Sequence, residues 1–492
     1  MEAPSVSKET HTAGDPATFR EVFAGDEFRF LYASVTLSWI GDYIAKAAVT
    51  VLVYRETQSV ALSAAAFAVS FLPWLIGGPL LTTVAERYPY HRVMITTDVV
   101  RMVLIGLVAV PGMPVWMMLG LLFCTTLANP PNQAARSALM PLVLTGDRLI
   151  VGLSLVASTS QLAQVGGYVA GAAMATANPR AALLFNAATF ATSALVIKFG
   201  IRPRPSALAP DRRQHLLRET ADGFRLVLGT GVLRAIALLV CAVSLFAIVP
   251  EGLAAAWAAE PGVSESERGL AQAMIMAASP AGYIIGGLLI GRVVRPDTRR
   301  RLIRPFAVIA PLALVPTMLD PSPPVVAALA AVCGFAVAGL MPVANGLFVQ
   351  ALPHGYRARA FGVIATGIQV AQGVAVLITG ILADRFAIPT VVGVWSLAGV
   401  VLMALVVVQW PSAERFDAAI SAAHQQGETP AGAETPVRTE AAARTEPAAA
   451  PPPRLPVSRA HDARGAHDAH DARGARFDGD SGEHPATGIG SM

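Results

Sequence analysis

The chain is a series of long apolar stretches separated by short polar connections. A helix needs about 20 predominantly apolar residues to cross the hydrocarbon core of a membrane. Twelve stretches meet this requirement, and they predict transmembrane helices near residues 30-54, 60-84, 93-111, 114-137, 148-176, 180-201, 232-254, 268-292, 303-320, 323-350, 358-382 and 386-410. The predicted fold class is therefore an all-α membrane protein.

Arginine is distributed unevenly over the connections between these stretches. The even-numbered connections are rich in arginine, whereas the odd-numbered ones hold only Arg55, Arg180, Arg268 and Arg385. Lys and Arg are retained on the cytoplasmic side of a membrane, so the alternation predicts an even number of helices with both termini in the cytoplasm. The first 27 residues are polar and rich in acids, and we expect no cleaved signal peptide there. The predicted location is the cell membrane.

The chain also repeats itself. The sequence Gln161-Leu-Ala-Gln164 in the fifth stretch recurs as Gln369-Val-Ala-Gln372 in the eleventh, and each copy follows a stretch that contains proline. Duplication of a six-helix unit explains why the motif of the fifth stretch recurs in the eleventh. It predicts a cytoplasmic segment over 1-27, a first six-helix bundle over 28-201, a linker over 202-231 and a second bundle over 232-410. The low-complexity residues 411-492 are too polar to bury a core, and we expect a disordered cytoplasmic tail.

The composition excludes several classes of protein. Hydrophobic residues make up 54% of the chain and charged residues 14%, whereas ordinary soluble domains have roughly 45–50% and roughly 25%. The arginines do not form a stripe with aromatic residues, so we expect no nucleic-acid partner. The three cysteines lie singly in apolar stretches, which argues against a disulfide or a metal site. Without a P-loop or a hydrolase motif, we expect no enzyme activity and no cofactor, and energy from an ion gradient.

The connection between the second and third stretches resembles a known family pattern, Gly-x-x-x-Asp-Arg-x-Gly-Arg-Arg. Glu86 takes the place of the acid, Arg87 and Arg92 stand for the bases, and Thr82 and Pro89 replace the two glycines. The chain resembles the major facilitator superfamily in this motif and in its duplicated halves. The resemblance implies the major facilitator fold, with twelve transmembrane helices in two six-helix bundles.

Within that superfamily the chain is similar to the exporter branch of the enterobactin exporter and macrolide-efflux-like proteins, also called transmembrane secretion effectors. The phrases that carry this similarity are Gly41-Asp42, residues 128-141, Asp147-Arg148-Leu149, Asp222-Gly223-Phe224-Arg225 and Leu233-Arg234. The branch usually has a Gly-Pro-x-x-Gly-Gly kink associated with antiport, and residues 166-171 lack its proline. The resemblance implies a secondary active exporter of a hydrophobic or amphipathic drug, natural product or siderophore, which works by alternating access.

Two charged residues in the first stretch are candidates for proton coupling or substrate binding. Asp42 lies twelve residues into the stretch, about 18 Å deep at 1.5 Å per residue, where an ionisable group is costly and suggests function. Lys46 follows one turn later, so the two side chains can pair at i, i+4. Either the pair only satisfies both charges, or Asp42 carries protons during transport.

A second charged group is predicted nearer the cytoplasmic face. Asp98 and Arg101 are three residues apart in the third stretch. With Glu86, Arg87 and Arg92 they are expected to form a cytoplasmic gate that holds in one conformation and breaks in the other. The simpler interpretation is that Arg87 and Arg92 only follow the positive-inside rule. Arg136 is expected at the cytoplasmic mouth, beside Asn132 and Asn345.

The remaining candidates are one acid and four amides. Glu251 lies between Pro250 and Gly252 at the outer end of the seventh stretch, where it either contacts substrate or sits at the membrane interface. Gln161, Gln164, Gln369 and Gln372 either bind a ligand or hold helices together by hydrogen bonds, and the second is favoured.

The expected partners are a small-molecule substrate, protons and membrane lipid, with the protein as a monomer. Two alternatives to a proton-coupled exporter stay open. One is an importer or facilitator of a nutrient, and the other is a membrane scaffold or sensor that has lost transport.

Overall fold

A computed structural model describes residues 18–74, 88–204, 216–352 and 357–428 of the protein. These residues all belong to one compact unit, Met1–Ala431. Within these ranges the secondary structure is helical, with no β-strand. The all-α part of the predicted fold class is therefore confirmed for the part of the chain that the structure describes.

The N-terminal half contains the first group of helices. They are α1 (Phe19–Val22), α2 (Asp26–Thr57), α3 (Val60–Ala68), α4 (Tyr90–Val108), α5 (Val115–Leu127), α6 (Asn129–Val143), α7 (Asp147–Ala177) and α8 (Pro179–Gly200). Helix α2 is the central element of this half, because it packs against both α7 and α8.

The C-terminal half begins with α9 (Leu216–Gly229), which lies within the predicted linker. It continues with α10 (Gly231–Ala247), α11 (Val249–Trp257), α12 (Arg268–Val293), α13 (Pro296–Leu312), a 3-10 turn at Val315–Leu319, α14 (Pro323–Gln350), α15 (Arg357–Ala383), α16 (Ile388–Val408) and α17 (Ala413–Glu428). Helices α10 and α11 form one candidate membrane span, Gly231–Trp257, with Pro250 next to the break between them.

Nine helices in the described residues are long and apolar enough to cross a membrane. They correspond to the first and the fifth to twelfth predicted spans. The second span lies partly outside the described residues, and the third, α4, carries Arg92, Asp98 and Arg101. The fourth is interrupted at Ala128, because Pro130 and Pro131 start the new helix α6. A multi-pass membrane protein follows, while the count of twelve spans stays a prediction.

Glycine allows the helices to approach closely at several crossings. A Cβ atom on Gly282 of α12 would fall on the backbone carbonyl of Ala331 in α14, and one on Gly334 of α14 would fall on that of Ser279 in α12. Gly171 of α7 is similarly placed, because a Cβ atom on it would lie 2.7 Å from the carbonyl oxygen of Ile44 in α2. Small residues at crossings are typical of helix packing in membranes, where close van der Waals contact stabilises association.

The two halves contact each other through α7 with α12 and α3 with α15. The buried residues of α7, apart from Gly152, fall between Ala163 and Ala175, in its second half. Gly167 and Gly171 among them pack against α2, while the end of α7 reaches the start of α12, where a Cβ on Gly269 would meet Thr176. These contacts lie at the end of the molecule that carries the α2–α3 and α15–α16 connections, which is the predicted outer end.

The residues after the last span differ from the expected disordered tail. Residues 413–428 form α17, and its residue Phe416 is buried beside Trp410, with 5.5 Å between the ring centroids. Phe416, Ala419 and Ile420 recur at helical spacing and pack against the core of the C-terminal half. The apolar stripe explains why this segment folds, and residues 429-492 lie outside the described part of the chain.

Candidate functional site

The first cavity of interest lies within the N-terminal half and has a volume of about 190 Å³. Helices α2, α3, α4, α5, α6 and α8 contribute to its wall. The charged residues that line it are Asp42, Lys46, Asp98, Arg101 and Arg136. All five are among the residues that the sequence singled out, although it assigned them to different places.

Asp42 forms an ion pair with Arg101 of α4. The Nη2 atom of Arg101 donates to both carboxylate oxygens of Asp42, at 2.7 and 2.6 Å, and only 4% of the Arg101 side chain is exposed. Gly41 lets this part of α2 approach α8, since a Cβ there would overlap Asn186 and Thr189. The expected i, i+4 pairing of Asp42 with Lys46 is therefore replaced by a pairing between helices.

Asp98 completes the cluster from the opposite side of Arg101. Its Oδ2 accepts a hydrogen bond from the Ser193 hydroxyl at 2.6 Å, and its Oδ1 accepts one from the Asn132 amide at 3.1 Å. The Nη1 atom of Arg101 is 3.9 Å from the Asp98 Oδ1 atom. One guanidinium group thus lies between two carboxylates.

The guanidinium groups of the cavity also contact aromatic rings. The Arg101 Cζ atom is 4.0 Å from the centroid of the Phe190 ring, and the Arg136 Cζ atom is 4.7 Å from that of Trp39. Such stacking favours a planar, weakly hydrated cation over an ammonium group. Arg136 lines the same cavity as Asp42 and Asp98. The sequence pattern predicts it at the cytoplasmic mouth.

Lys46 is surrounded by aromatic residues. Its Nζ atom lies 5.3 Å from the ring centroid of Tyr43, 5.2 Å from that of Phe71 and 6.0 Å from that of Phe67. These distances are within the range of cation–π attraction. The lysine is therefore stabilised by rings, while the carboxylate of Asp42 is held by Arg101.

The predicted cytoplasmic gate is divided by the structure. Asp98 and Arg101 are buried in the cavity with Asp42, whereas Arg92 lies exposed in the first turn of α4. Six residues separate Arg92 from Asp98, about 9 Å along a helix. Glu86 and Arg87 lie outside the described residues. In this conformation Asp98 and Arg101 contact α8 and α2, away from Arg92, and the gate that groups them with Glu86, Arg87 and Arg92 stays a prediction.

Glu251 lies at a second cavity, of about 180 Å³, between α7 and the C-terminal half. Its side chain is buried, and its Oε2 atom accepts a hydrogen bond from the Tyr168 hydroxyl at 3.0 Å. The Gln164 amide lies 3.5 Å from the same oxygen. The buried position of Glu251 beside a cavity differs from the exposed position expected at the membrane interface, and its contact with substrate stays a prediction.

The repeated glutamines are distributed around this second cavity. Gln161, Gln164 and Gln372 line it, together with Tyr283 and Ser279. Gln369 is half-buried on α15 and is not part of the lining. Since Gln164 reaches Glu251 from the other half of the chain, this amide bridges the halves in the present conformation.

Aromatic residues connect the two cavities. The rings of Tyr43 and Tyr168 meet edge to face, with centroids 5.2 Å apart. Tyr43 lines the first cavity beside Lys46, and Tyr168 donates to Glu251 at the second. A short chain of polar and aromatic groups thus runs from α2 through α7 to α11.

Sequence reasoning did not single out Tyr168 and Ser193. Gln161, Gln164 and Tyr168 are spaced at i, i+3 and i+7, which places them on one helix face, so this spacing could have indicated Tyr168. Ser193 is one of many hydroxyl residues in apolar helices, and nothing in its sequence surroundings distinguishes it.

Long apolar helices in two halves, with charged side chains lining buried cavities, define a multi-pass membrane transporter of small molecules. The family model of the Major Facilitator Superfamily matches residues 31–256 and 246–449. The chain belongs to this superfamily, and the resemblance in its sequence is confirmed. It is accordingly a transporter and not an enzyme.

The individual proteins that the chain resembles share few identical residues with it. The chain is 23% identical over 379 residues to macrolide efflux protein A of Streptococcus pyogenes, across 74% of this chain and 90% of that protein. It is similar in structure to the nucleoside transporter NupG, with a TM-score of 0.64 and 14% identity, over 78% of this chain and 100% of that one. A POT family transporter in complex with 5-aminolevulinic acid gives a TM-score of 0.62 at 11% identity, over 80% and 96% of the two chains. These two structural likenesses show the fold.

Proposed function

We propose that the protein is a proton-coupled exporter of a small hydrophobic or amphipathic compound, such as a drug, a natural product or a siderophore. The similarity to a macrolide efflux protein supports export as the direction of transport. The observation that carries the coupling is the cluster of Asp42, Arg101 and Asp98, in which two carboxylates share one buried guanidinium group.

The arrangement of this cluster supports a proton switch. The Asp98 side chain is 2% exposed and that of Asp42 is 26% exposed, and a buried carboxylate is costly unless hydrogen bonds or cations compensate it. Ser193 and Asn132 support Asp98, and Lys46 and Arg136 contribute positive charge to the same cavity. A proton on Asp42 weakens its bond to Arg101 and allows the guanidinium to move toward Asp98. Movement of Arg101 shifts α4 relative to α2, which couples the proton to a change in helix packing.

The packing of the halves supports alternating access. The halves meet at the predicted outer end, through α3 with α15 and α7 with α12, while Ile150 and Leu153 in the first half of α7 are exposed. Under the arginine-based orientation, the described conformation is closed to the outside. Export then requires the outer contacts to separate while the arginine-rich ends come together.

Transport into inverted vesicles with an imposed pH gradient tests the proposal, with a radiolabelled macrolide as the first cargo. We expect gradient-dependent accumulation by the wild type and its loss in Asp42→Asn, because the amide cannot exchange a proton. Glu265→Gln, an exposed acid in the α11–α12 connection, is the matched control and should retain full transport. Accumulation that ignores the gradient, or full activity of Asp42→Asn, would refute the coupling and leave export open.

The two alternatives are separated by other measurements. A nutrient importer would accumulate its substrate in whole cells and would not accumulate it in inverted vesicles. A sensor that signals through its C-terminal residues would lose function when the chain is truncated after Glu428, a deletion that leaves α17 in place. An exporter should keep drug resistance after this truncation.

A further inference from the structure

A third cavity, of about 330 Å³, lies at one membrane end of the C-terminal half and plays no part in the transport proposed above. It is formed by the beginning of α13, the end of α14, the α16–α17 connection and the amphipathic helix α17. Candidate spans Thr298–Leu319 and Pro323–Gln350 contribute its α13 and α14 walls, so the cavity lies where two spans reach the membrane surface.

One wall of this cavity is strongly basic. Arg300, Arg301 and Arg304 line it, and their spacing at i, i+1 and i+4 places them on neighbouring positions of one helix face. Arg300 donates to the Gln350 side chain at 3.3 Å, whereas Arg301 and Arg304 are exposed and form no ion pair with any residue whose side chain the structure describes. Among the described residues of the lining, Asp417 is the single carboxylate, so positive charge is in excess.

The opposite wall is apolar and aromatic. Leu347, Trp410 and Phe416 line it, and the rings of Trp410 and Phe416 pack together. Tryptophan is enriched where the membrane meets water, because its ring is apolar and its N–H remains hydrated. Guanidinium groups and an apolar surface therefore line the same cavity, where two spans reach the membrane surface.

We propose that this cavity binds an anionic glycerophospholipid, with the phosphate on Arg301 and Arg304 and the first acyl carbons along Leu347 and Trp410. Guanidinium groups bind phosphate oxygens in a bidentate manner, and basic pockets between spans bind anionic headgroups. The apolar wall favours a lipid over free phosphate, because a free ion would leave that wall uncovered. The bound lipid also holds α17 against the bundle, since Phe416 and Asp417 of α17 form part of the site.

The test measures lipid binding to the purified full-length protein by native mass spectrometry, with phosphatidylglycerol, phosphatidylcholine and inorganic phosphate as separate ligands. We expect the wild type to retain phosphatidylglycerol preferentially. Arg301→Gln/Arg304→Gln should bind it roughly 10- to 30-fold more weakly, as expected for two arginines near a headgroup. Arg292→Gln/Arg295→Gln removes the same charge from exposed positions at the end of α12 and just before α13, and this variant should bind as the wild type does.

Three outcomes would overturn the proposal. They are equal binding of both lipids, an equal loss in the control variant, and full competition by inorganic phosphate. A second measurement uses the wild-type arginines, so it does not depend on whether the arginine variants fold. Nitroxide-headgroup phosphatidylglycerol should quench the fluorescence of Trp410, isolated as the difference from Trp410→Phe, more than nitroxide phosphatidylcholine does. Equal quenching by the two lipids would also contradict the assignment.

Discussion

The carboxylate of Asp384, just after α15, accepts a hydrogen bond from the hydroxyl of Ser59, at the start of α3, over 3.0 Å. The same carboxylate accepts hydrogen bonds from the backbone N–H groups of Val60, at 2.7 Å, and Ala61, at 3.1 Å. Asp384 therefore caps a helix of the other half of the chain, where a carboxylate satisfies free N–H donors and complements the helix dipole. This cap lies at the end where the halves meet.

Replacing Asp384 with Ala should favour the conformation that is open at this end. A helix cap contributes about 1 kcal/mol, so the open population should rise about fivefold. Spin labels on Leu62→Cys and Phe386→Cys, both exposed positions near the cap, report the opening as a longer distance in pulsed EPR. The Glu265→Gln variant removes an acid from the same end and should leave the distances unchanged. Unaltered distances in Asp384→Ala would show that the cap does not hold this end closed.

Replacing Arg101 with Gln should destabilise the fold strongly. The change leaves Asp42 and Asp98 without their shared cation in a buried cavity, and losing one partner of a buried pair costs about 3–5 kcal/mol. Thermal unfolding in detergent measures the loss. Arg92→Gln removes an exposed arginine from the same helix and should shift the midpoint little.

The double variant Asp42→Asn/Arg101→Gln separates this pairing from a general effect of substitution. The neutral amide that replaces the Asp42 carboxylate no longer needs a cation, so the double variant should be more stable than Arg101→Gln alone. Losses that simply add would show that the two side chains do not interact energetically.

The hydrophobic pattern predicted the apolar spans well, because length and composition alone decide whether a helix can cross a membrane. It was less successful where polar residues are buried. Helix α4 carries Asp98 and Arg101, and these charges reduce its hydropathy although both are paired inside the fold. The apolar stripe of α17 is short and lies in a polar context, so composition alone indicated a disordered tail.

The candidate residues were identified better than their partners. A charge within an apolar span is visible in the sequence, and Asp42, Asp98, Arg101 and Glu251 stand out for this reason. Spacing along one helix suggested Lys46 for Asp42. The observed partner comes from a helix 59 residues away, and no local pattern encodes that contact. The close approach of α8 at Gly41 is a property of the tertiary packing.

The hydrogen bond from Tyr168 to Glu251 should couple the two halves energetically. Removing the hydroxyl in Tyr168→Phe leaves a buried carboxylate with one donor fewer, at a cost of about 1–3 kcal/mol. In the background of Glu251→Leu the same change should cost much less. Tyr283→Phe, at the same cavity, serves as the control. Chemical unfolding of the wild type, the two single variants and the double variant gives the coupling energy, and a value near zero would contradict the interaction.

The crossing of α12 and α14 should be the most sensitive to added volume. A methyl group at Gly334 would fall on the Ser279 carbonyl, which belongs to the backbone and cannot rotate away. Gly334→Ala and Gly282→Ala should therefore each lower the stability by about 1–3 kcal/mol, the usual cost of overpacking. Gly287 lies on α12 with nothing within 4 Å of its hypothetical Cβ atom, so Gly287→Ala should be neutral or slightly stabilising. Thermal unfolding of the purified variants compares them, and equal midpoints for Gly334→Ala and Gly287→Ala would show that α12 and α14 are not in contact at this crossing.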